Sequence, residues 1–241
     1  MGATHVIVTR AEPGASETAA RLTAMGLLPL ISPALELIGS PEIALPDLQS
    51  VSGVVFTSAN GVRFFAERSS ERQLSAWCVG PATAHAARLA GFTKVEESSG
   101  NAADLANLIL EASPPALKPL LHVANAAAKG NLKSILEARG RKITFCPLYR
   151  ATTAPALSQT VSSLLQSETR AYLMVHSEKG AEAFVQLASD WQLSHLTGIA
   201  ISPTVCEILK RAGLAEIHVA KAPNETELLN ALQVALSAHR R

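Results

Sequence analysis

Short apolar runs alternate along this chain with longer segments that have the spacing of amphipathic helices. The runs are rich in valine, isoleucine and leucine and are four to six residues long, which is typical of buried parallel strands. Because strands and helices alternate, the pattern predicts the α/β class with parallel sheets. The predicted strands are 6–9, 54–57, 76–79, 120–123, 171–176, 198–201 and 216–219.

Two parts of the chain contain the same motifs in the same order. Ser58 and Gly61 follow one apolar run and Ser177 and Gly180 follow another, and both segments read Ser-x-x-Gly-x-x-x-Phe. Later in each part an asparagine, Asn101 or Asn224, precedes an acidic residue by three positions, as at a capped helix start. We therefore interpret the chain as a duplicated α/β unit.

Two proline-containing stretches, around 30–37 and 143–155, interrupt the alternation of strands and helices. They are the candidate connections between domains. At 241 residues the chain is long enough for two domains with separate cores. The repeat alone leaves open whether the first strand and helix pack with their own half or with the other half.

Ligand contacts are expected where the strands end and the helices begin. At these turns in open parallel sheets, backbone N–H groups and the helix dipole attract anions. Arg10, directly after the first strand, is a candidate to clamp a carboxylate. The alternatives are that the turns only cap helices and that Arg10 is a solvated surface residue. The candidate turn residues are Thr57, Ser58, Asn60, Gly61, Thr83, Ser177, Gly180, Ser202 and Thr204.

Composition and missing motifs argue against several classes of protein. A net charge of +1 provides no overall field for nucleic acid or an anionic membrane. The sequence lacks the glycine-rich phosphate and dinucleotide loops, the G-x-S-x-G elbow and the H-E-x-x-H pair. The start lacks the features of a signal peptide, and no apolar run approaches the roughly 20 residues of a membrane span. A cytoplasmic protein is expected.

The cysteines and histidines show no spacing that indicates a disulfide framework or a metal site. Cys78, Cys146 and Cys206 are widely spaced in apolar surroundings, and we predict that they are reduced core thiols. No metal is expected, since the seven histidines are scattered. Only His176 stands out, because it lies at a strand end where a group that titrates near neutral pH is useful.

In their order, the motifs closely resemble those of uroporphyrinogen-III synthases, over nearly the whole chain. The matching segments are Thr9-Arg10, Phe56 to Val62, Val79 to Ala84, Leu148-Tyr149-Arg150 and Ser202-Pro203-Thr204. The resemblance implies two α/β domains, each with a parallel sheet flanked by helices, joined by a two-stranded β-ladder. Residues 1–35 and 153–241 would form one domain and 38–145 the inserted one, with connections at about 30–37 and 143–153 and the active site in the cleft between the domains.

The family's reaction is the closure of hydroxymethylbilane, a chain of four pyrroles with eight carboxylates, to uroporphyrinogen III. The resemblance therefore implies a cofactor-independent, cyclising hydro-lyase of porphyrin, tetrapyrrole and haem biosynthesis that inverts ring D and releases water. A monomer in the cytoplasm, with transient contact to hydroxymethylbilane synthase, is expected.

Tyr149 matches the family's catalytic tyrosine; the alternative is a residue that only packs on the ladder. The chain departs from the family at 124–131, where an Arg-Gly-rich turn is usual and Lys129 is a candidate substitute. It also departs at Ser202, which replaces a glycine, and at His176, which replaces a threonine. These departures place the contacts of the second half in question.

Two other functions remain open from the sequence. One is a non-catalytic protein of the same fold that binds a tetrapyrrole or a small anion, for which the altered turns are the support. The other is a flavodoxin-like or periplasmic-type sensor module. A periplasmic module is disfavoured, because the chain start lacks a signal peptide.

Overall fold

A computed structural model of the chain describes residues 4–112 and 118–239. The chain forms two compact units, one from Met1–Leu37 with Thr152–Arg241 and the other from Ile38–Ala151. The outermost residues of the first predicted domain, 1–3 and 240–241, lie outside the described residues. The first unit is thus built from two separate stretches of sequence, and the second is continuous.

Strands and helices alternate along the described part of the chain. The strands are β1 (His5–Val8), β2 (Leu28–Ile31), β3 (Leu35–Gly39), β4 (Gly53–Phe56), β5 (Ser75–Cys78), β6 (Val95–Glu97), β7 (Leu120–Asn125), β8 (Ile143–Thr153), β9 (Ala171–Val175), β10 (Leu196–Ala200) and β11 (Glu216–Val219). The α-helices are α1 (Gly14–Ala24), α2 (Ala59–Arg68), α3 (Pro81–Leu89), α4 (Ala102–Ala112), α5 (Leu132–Ala138), α6 (Gln159–Gln166), α7 (Glu178–Leu187), α8 (Pro203–Arg211) and α9 (Glu225–Ala238).

The first unit is a parallel sheet in the order β11-β10-β9-β1-β2, with helices on both faces. Successive side chains of a strand point to opposite faces. Ile7 accordingly lies in a cluster with residues of α6, α7 and α8, whereas Val6 and Val8 lie in a second cluster with α1 and α9. Both faces of the sheet are buried, which accounts for the continuous apolar runs in the sequence.

The second unit is a six-stranded sheet in the order β3-β8-β7-β4-β5-β6. Strands β8 to β6 in this order are parallel. Val55 and Trp77 pack against α4 and α5. Phe56, Phe65 and Phe92 pack against one another, with ring centroids 5.5 to 5.9 Å apart.

The chain passes between the two units through β3 and β8, which are neighbours in the sheet. Ser40 N–H donates to the Leu148 carbonyl, and Ala154 N–H donates to the Ala34 carbonyl. The residue numbers rise along one strand while those of their partners fall along the other, so the two strands are antiparallel. The predicted α/β class with parallel sheets, flanking helices and a two-stranded ladder is confirmed.

All seven predicted strands are confirmed, with ends that differ by at most two residues. Strand β2 is not among the predicted strands, because its run of four residues is short and overlaps the predicted connection at about 30–37. Strand β2 instead pairs with β1 and lies at the edge of its sheet, where proline is tolerated. Strand β6, with only three residues, was also missed.

The cysteines are buried and unpaired, as predicted. Burial raises the pKa of Cys78 to about 12, so this thiol is inert at neutral pH. No helix in the described part of the chain is long and apolar enough to cross a membrane.

Candidate functional site

Each parallel sheet has one point where the order of its strands reverses. In the first unit the chain continues from β1 to β2 on one side, while β9 lies on the other side. In the second unit it continues from β4 to β5 on one side, while β7 lies on the other. Ligands bind beyond the carboxyl ends of the strands at such points. The residues after β1 and β9, and those after β4 and β7, are therefore the candidate site in each unit.

The repeated Ser-x-x-Gly motif is a helix cap in both units. Ser58 Oγ accepts the Gly61 N–H at 3.3 Å, and Ser177 Oγ accepts the Gly180 N–H at 3.0 Å. The two serines have nearly the same backbone angles, with φ −161° and −164° and ψ 156° and 157°. Each cap satisfies one of the four N–H groups that lack an intrahelical acceptor at a helix start.

Gly61 also allows α2 to start directly against β7. A Cβ atom at this position would lie 2.8 Å from the carbonyl oxygen of Val123. Glycine is therefore required for this close approach, independent of any ligand. The approach brings Thr57 and Ser58 to the carboxyl end of β7.

Tyr149, on β8, is hydrogen-bonded to this capped turn. Its hydroxyl lies 2.8 Å from Ser58 Oγ, and its ring stacks on Phe64 with centroids 4.7 Å apart. Burial raises the pKa of the Tyr149 phenol, although the Ser58 hydrogen bond and the charge of Arg63 oppose the shift. The phenol is consequently protonated at neutral pH and is available as a hydrogen-bond donor.

Thr57 is hydrogen-bonded to a histidine from the neighbouring strand. Thr57 Oγ1 lies 3.2 Å from Nε2 of His122, and the His122 ring packs edge-on against Phe145. Burial lowers the pKa of His122 to about 4, so the imidazole is uncharged at neutral pH. His122 is not among the predicted site residues, because its position within a mostly buried strand gives no sign of the contact with Thr57.

The remaining candidates of the second unit are more scattered. Asn60 Oδ1 is buried and has no hydrogen-bond partner among the described residues. Thr83 is 5% exposed in the first turn of α3. Lys129 is exposed after β7, and the described side chains give it no ion pair. The structure thus joins Ser58, Gly61 and Tyr149 by hydrogen bonds, with Thr57 adjacent in the chain.

In the first unit the turns after β1 and β9 meet the start of α9. Glu225 Oε2 accepts from Arg10 Nη1 at 3.1 Å and from His176 Nε2 at 3.0 Å. Its other oxygen, Oε1, accepts from Thr18 Oγ1 at 2.7 Å. Burial alone would raise the pKa of Glu225, but the hydrogen bonds from His176 and Thr18 and the charges of His176 and Arg10 lower it to about 2. Glu225 is therefore a carboxylate at neutral pH.

Arg10 is held close to α1 by this arrangement. Its guanidinium lies where a side chain on Gly14 would be, since a Cβ atom there would clash with Nε, Cζ and Nη2 of Arg10. Arg10 Nη1 also lies 3.4 Å from Thr18 Oγ1, and the side chain is 33% exposed. The predicted carboxylate clamp thus already contacts one carboxylate of its own chain.

The second-half turns are also capped. Ser202 Oγ accepts the Val205 N–H at 3.3 Å at the start of α8, and Thr204 is exposed in the same turn. Asn224 Oδ1 accepts the Glu227 N–H at the start of α9, so the predicted asparagine cap is confirmed. The described residues contain no group of three or more His, Cys, Asp or Glu side chains that could hold a metal ion.

Residues 16–230 match the family model described as uroporphyrinogen-III synthase HemD. The chain is 26% identical over 223 residues to the uroporphyrinogen-III synthase of Chlorobaculum parvum, a match that covers 87% of this chain and 89% of that protein. It is 22% identical over 245 residues to the porphyrin biosynthesis protein HemD of Ruminiclostridium josui, where the match covers 96% of this chain and 48% of that protein.

Solved structures have the same fold. The crystal structure of uroporphyrinogen-III synthetase from Helicobacter pylori superposes with a TM-score of 0.66 at 20% identity, over 98% of this chain and all of that one. A mutant uroporphyrinogen III synthase from Thermus thermophilus superposes with a TM-score of 0.52 at 16% identity, also over 98% of this chain and all of that one. At these identities the likeness concerns the fold.

Proposed function

The chain belongs to the uroporphyrinogen-III synthase family, and we propose that it closes hydroxymethylbilane to uroporphyrinogen III with inversion of ring D. It is a cyclising lyase of porphyrin biosynthesis, and its substrate class is the linear tetrapyrrole. In the proposed reaction each hydroxymethylbilane molecule closes to one macrocycle and releases one water molecule, and no cofactor takes part.

The observation that carries the catalytic part of the proposal is the contact of Tyr149 with Ser58. Ser58 Oγ already accepts the N–H of Gly61, so the Ser58 hydroxyl proton is free to be donated to the Tyr149 oxygen. The proton of Tyr149 can then be donated to a ligand. We assign Tyr149 as the donor to the hydroxyl group that leaves ring A.

This hydrogen bond assists the departure of the hydroxyl, which leaves as water with the N–H proton of ring A and gives an electrophilic azafulvene. Ring D attacks through its substituted carbon, and the resulting spiro intermediate fragments and recloses with the ring inverted. Because burial raises the pKa of Tyr149, the phenol donates a hydrogen bond rather than transferring its proton completely. Most of the acceleration is therefore assigned to the folding of the substrate into one reactive arrangement.

The substrate carboxylates are proposed to bind at the capped turns. The N–H groups that the caps leave free and the positive ends of the helices attract anions. The proposed contacts in the second unit are Thr57, Ser58, Asn60, Gly61, Thr83 and Lys129. Those in the first unit are Arg10, Ser177, Gly180, Ser202 and Thr204. Because Thr83 is buried, and because the N–H groups of Gly61 and Gly180 already donate to Ser58 and Ser177, the free backbone N–H groups beside them are proposed to make the contacts at these turns.

Family membership disfavours the alternative of a non-catalytic tetrapyrrole or small-anion binding protein, and it also disfavours a flavodoxin-like or periplasmic-type sensor. We further propose that the chain acts as a monomer in the cytoplasm and receives its unstable substrate through transient contact with hydroxymethylbilane synthase.

The test is the isomer ratio of the uroporphyrin that forms, after oxidation, when the purified protein is given freshly generated hydroxymethylbilane. The proposal expects mainly isomer III, at a rate proportional to the protein concentration. Isomer I at the spontaneous rate would reject catalysis.

A further inference from the structure

Glu225 joins three separate segments of the first unit at the carboxyl ends of its strands. Arg10 follows β1, Thr18 lies on α1 and His176 follows β9, and all three contact the Glu225 carboxylate. The carboxylate accepts bonds through both oxygens, and its side chain is only 17% exposed. A carboxylate held by three partners from three directions has one orientation.

The orientation of Glu225 determines that of Arg10. One side of the guanidinium lies against Gly14, and Nη1 is directed to Glu225 and Thr18. Arg10 keeps a side chain that is 33% exposed, at the point where the strand order of the sheet reverses. A planar guanidinium with one nitrogen engaged presents its remaining donors in a fixed direction.

We propose that Glu225 is a positioning residue that aims the Arg10 guanidinium at a carboxylate of the linear tetrapyrrole. This inference rests on the proposed function, because it assigns one substrate contact of that reaction. His176, which follows the neighbouring strand β9, contacts the same carboxylate, so Glu225 links Arg10 and His176 although it was not itself among the predicted site residues. Glu225 does not itself contact the substrate.

The test is Glu225→Gln, a change that keeps the size of the side chain and removes its charge. If Glu225 acts by aiming a group that binds the substrate equally in the ground and transition states, KM rises about tenfold while kcat stays within about twofold. The matched control is Glu227→Gln, in the same turn of α9, whose carboxylate contacts Asn230. This control removes the same charge and leaves KM unchanged.

A double-mutant cycle separates positioning from a structural role. Glu225→Gln combined with Arg10→Gln is expected to have the KM of Arg10→Gln alone, because Glu225 acts only through Arg10. Additive increases in KM would overturn the inference. A lowered KM for Glu225→Gln would also overturn it, since Glu225 would then compete with the substrate for Arg10.

Thr18→Val is a milder variant if Glu225→Gln folds poorly. It removes the bond to Oε1, keeps the ion pair and is expected to raise KM about threefold with kcat unchanged. An unchanged KM with a lowered melting temperature would assign Thr18 and Glu225 a structural role alone and would overturn the inference.

A spectroscopic measurement distinguishes failure of this inference from failure of the proposed function. In the unliganded protein, the ¹⁵N shifts of the Arg10 guanidinium and the His176 ring should change in Glu225→Gln but not in Glu227→Gln. Unchanged shifts in Glu225→Gln would overturn the positioning role regardless of activity. If the unmodified chain forms only isomer I, the proposed function fails and with it the substrate contact assigned to Arg10.

Discussion

The Tyr149 hydroxyl lies 2.8 Å from the Ser58 Oγ atom that caps α2. The Ser58 hydroxyl therefore has two roles: it orients the Tyr149 phenol and it caps the first turn of α2. A change in either residue is expected to alter stability and turnover to different degrees, which makes the two roles separable.

Tyr149→Phe is expected to lower kcat about tenfold, less than the roughly 10²- to 10⁴-fold of full acid–base catalysis, because the phenol donates a hydrogen bond without full proton transfer. The free energy of unfolding should fall by only about 1 kcal/mol, since a single buried hydrogen bond is lost. Rates of isomer III formation and urea unfolding curves measure the two effects.

The control for this variant is Tyr172→Phe. Tyr172 is the other tyrosine of the chain, and its hydroxyl lies 2.8 Å from His239 Nδ1. Tyr172 lies near the amino-terminal end of β9, whereas the candidate site lies at the carboxyl ends of the strands. Loss of the Tyr172 hydroxyl should therefore leave kcat unchanged. Equal rates for Tyr149→Phe and the unmodified protein would remove Tyr149 from the mechanism.

Ser58→Ala is expected to destabilise the protein by about 1 kcal/mol through loss of the helix cap. It should also lower kcat about three- to tenfold, an effect of roughly one hydrogen bond, because Tyr149 loses its partner. Ser158→Ala, which removes the cap of α6, should cost similar stability without the loss of rate. If both variants have the same kcat, the contact with Ser58 does not orient Tyr149.

Gly61→Ala is expected to destabilise the protein by about 1–3 kcal/mol, because the added methyl group would overlap the rigid Val123 carbonyl. Gly180→Ala should have a smaller effect, since its new methyl group would meet only the Ser177 Oγ atom, at 3.0 Å. The melting temperatures of the two variants, measured by thermal unfolding, compare the two losses of stability. A larger loss for Gly180→Ala would contradict this account of the close approach.

The stability of the second unit should depend on pH through His122. Its pKa is about 4 in the folded chain, against an ordinary value of 6.5, so the unfolded chain binds the proton first as the pH falls. The stabilisation is complete above pH 6.5 and is lost between there and about pH 4, by an amount on the order of 3 kcal/mol.

His122→Gln should remove this part of the pH dependence, as measured by urea unfolding between pH 7 and pH 4. His85→Gln replaces an exposed histidine on α3 and should leave the dependence as it is. If His122→Gln keeps the full slope, another buried group is responsible.

Local patterns predicted much of the fold. The strands at 54–57 and 171–176 are buried on both faces, so their apolar residues are consecutive and easily recognised. The caps at Ser58, Ser177 and Asn224 depend only on residues three positions away. Strand β2 was missed because its evidence lies in pairing with β1 rather than in its own four residues.

The site was predictable only where the chemistry lies in a local motif. Ser58 and Tyr149 were selected from motifs, but their mutual contact spans 91 positions in sequence. Glu225 lies in an ordinary acidic first turn of a helix, and its pairing with Arg10 spans 215 positions. Contacts of this kind are created by the order of strands in the sheet, and a single sequence contains no periodic signal for them.

The first unit is assembled from segments that the ribosome makes at different times. Strand β1 pairs with β9, and Thr9 donates to a carbonyl 165 positions later. Ile38–Ala151 contains the strands of its own parallel sheet and emerges in between. Domains generally fold as units during synthesis. The inserted unit is therefore complete while β1 and α1 still lack β9, so these two elements, although translated before the inserted unit, reach their native neighbours after it.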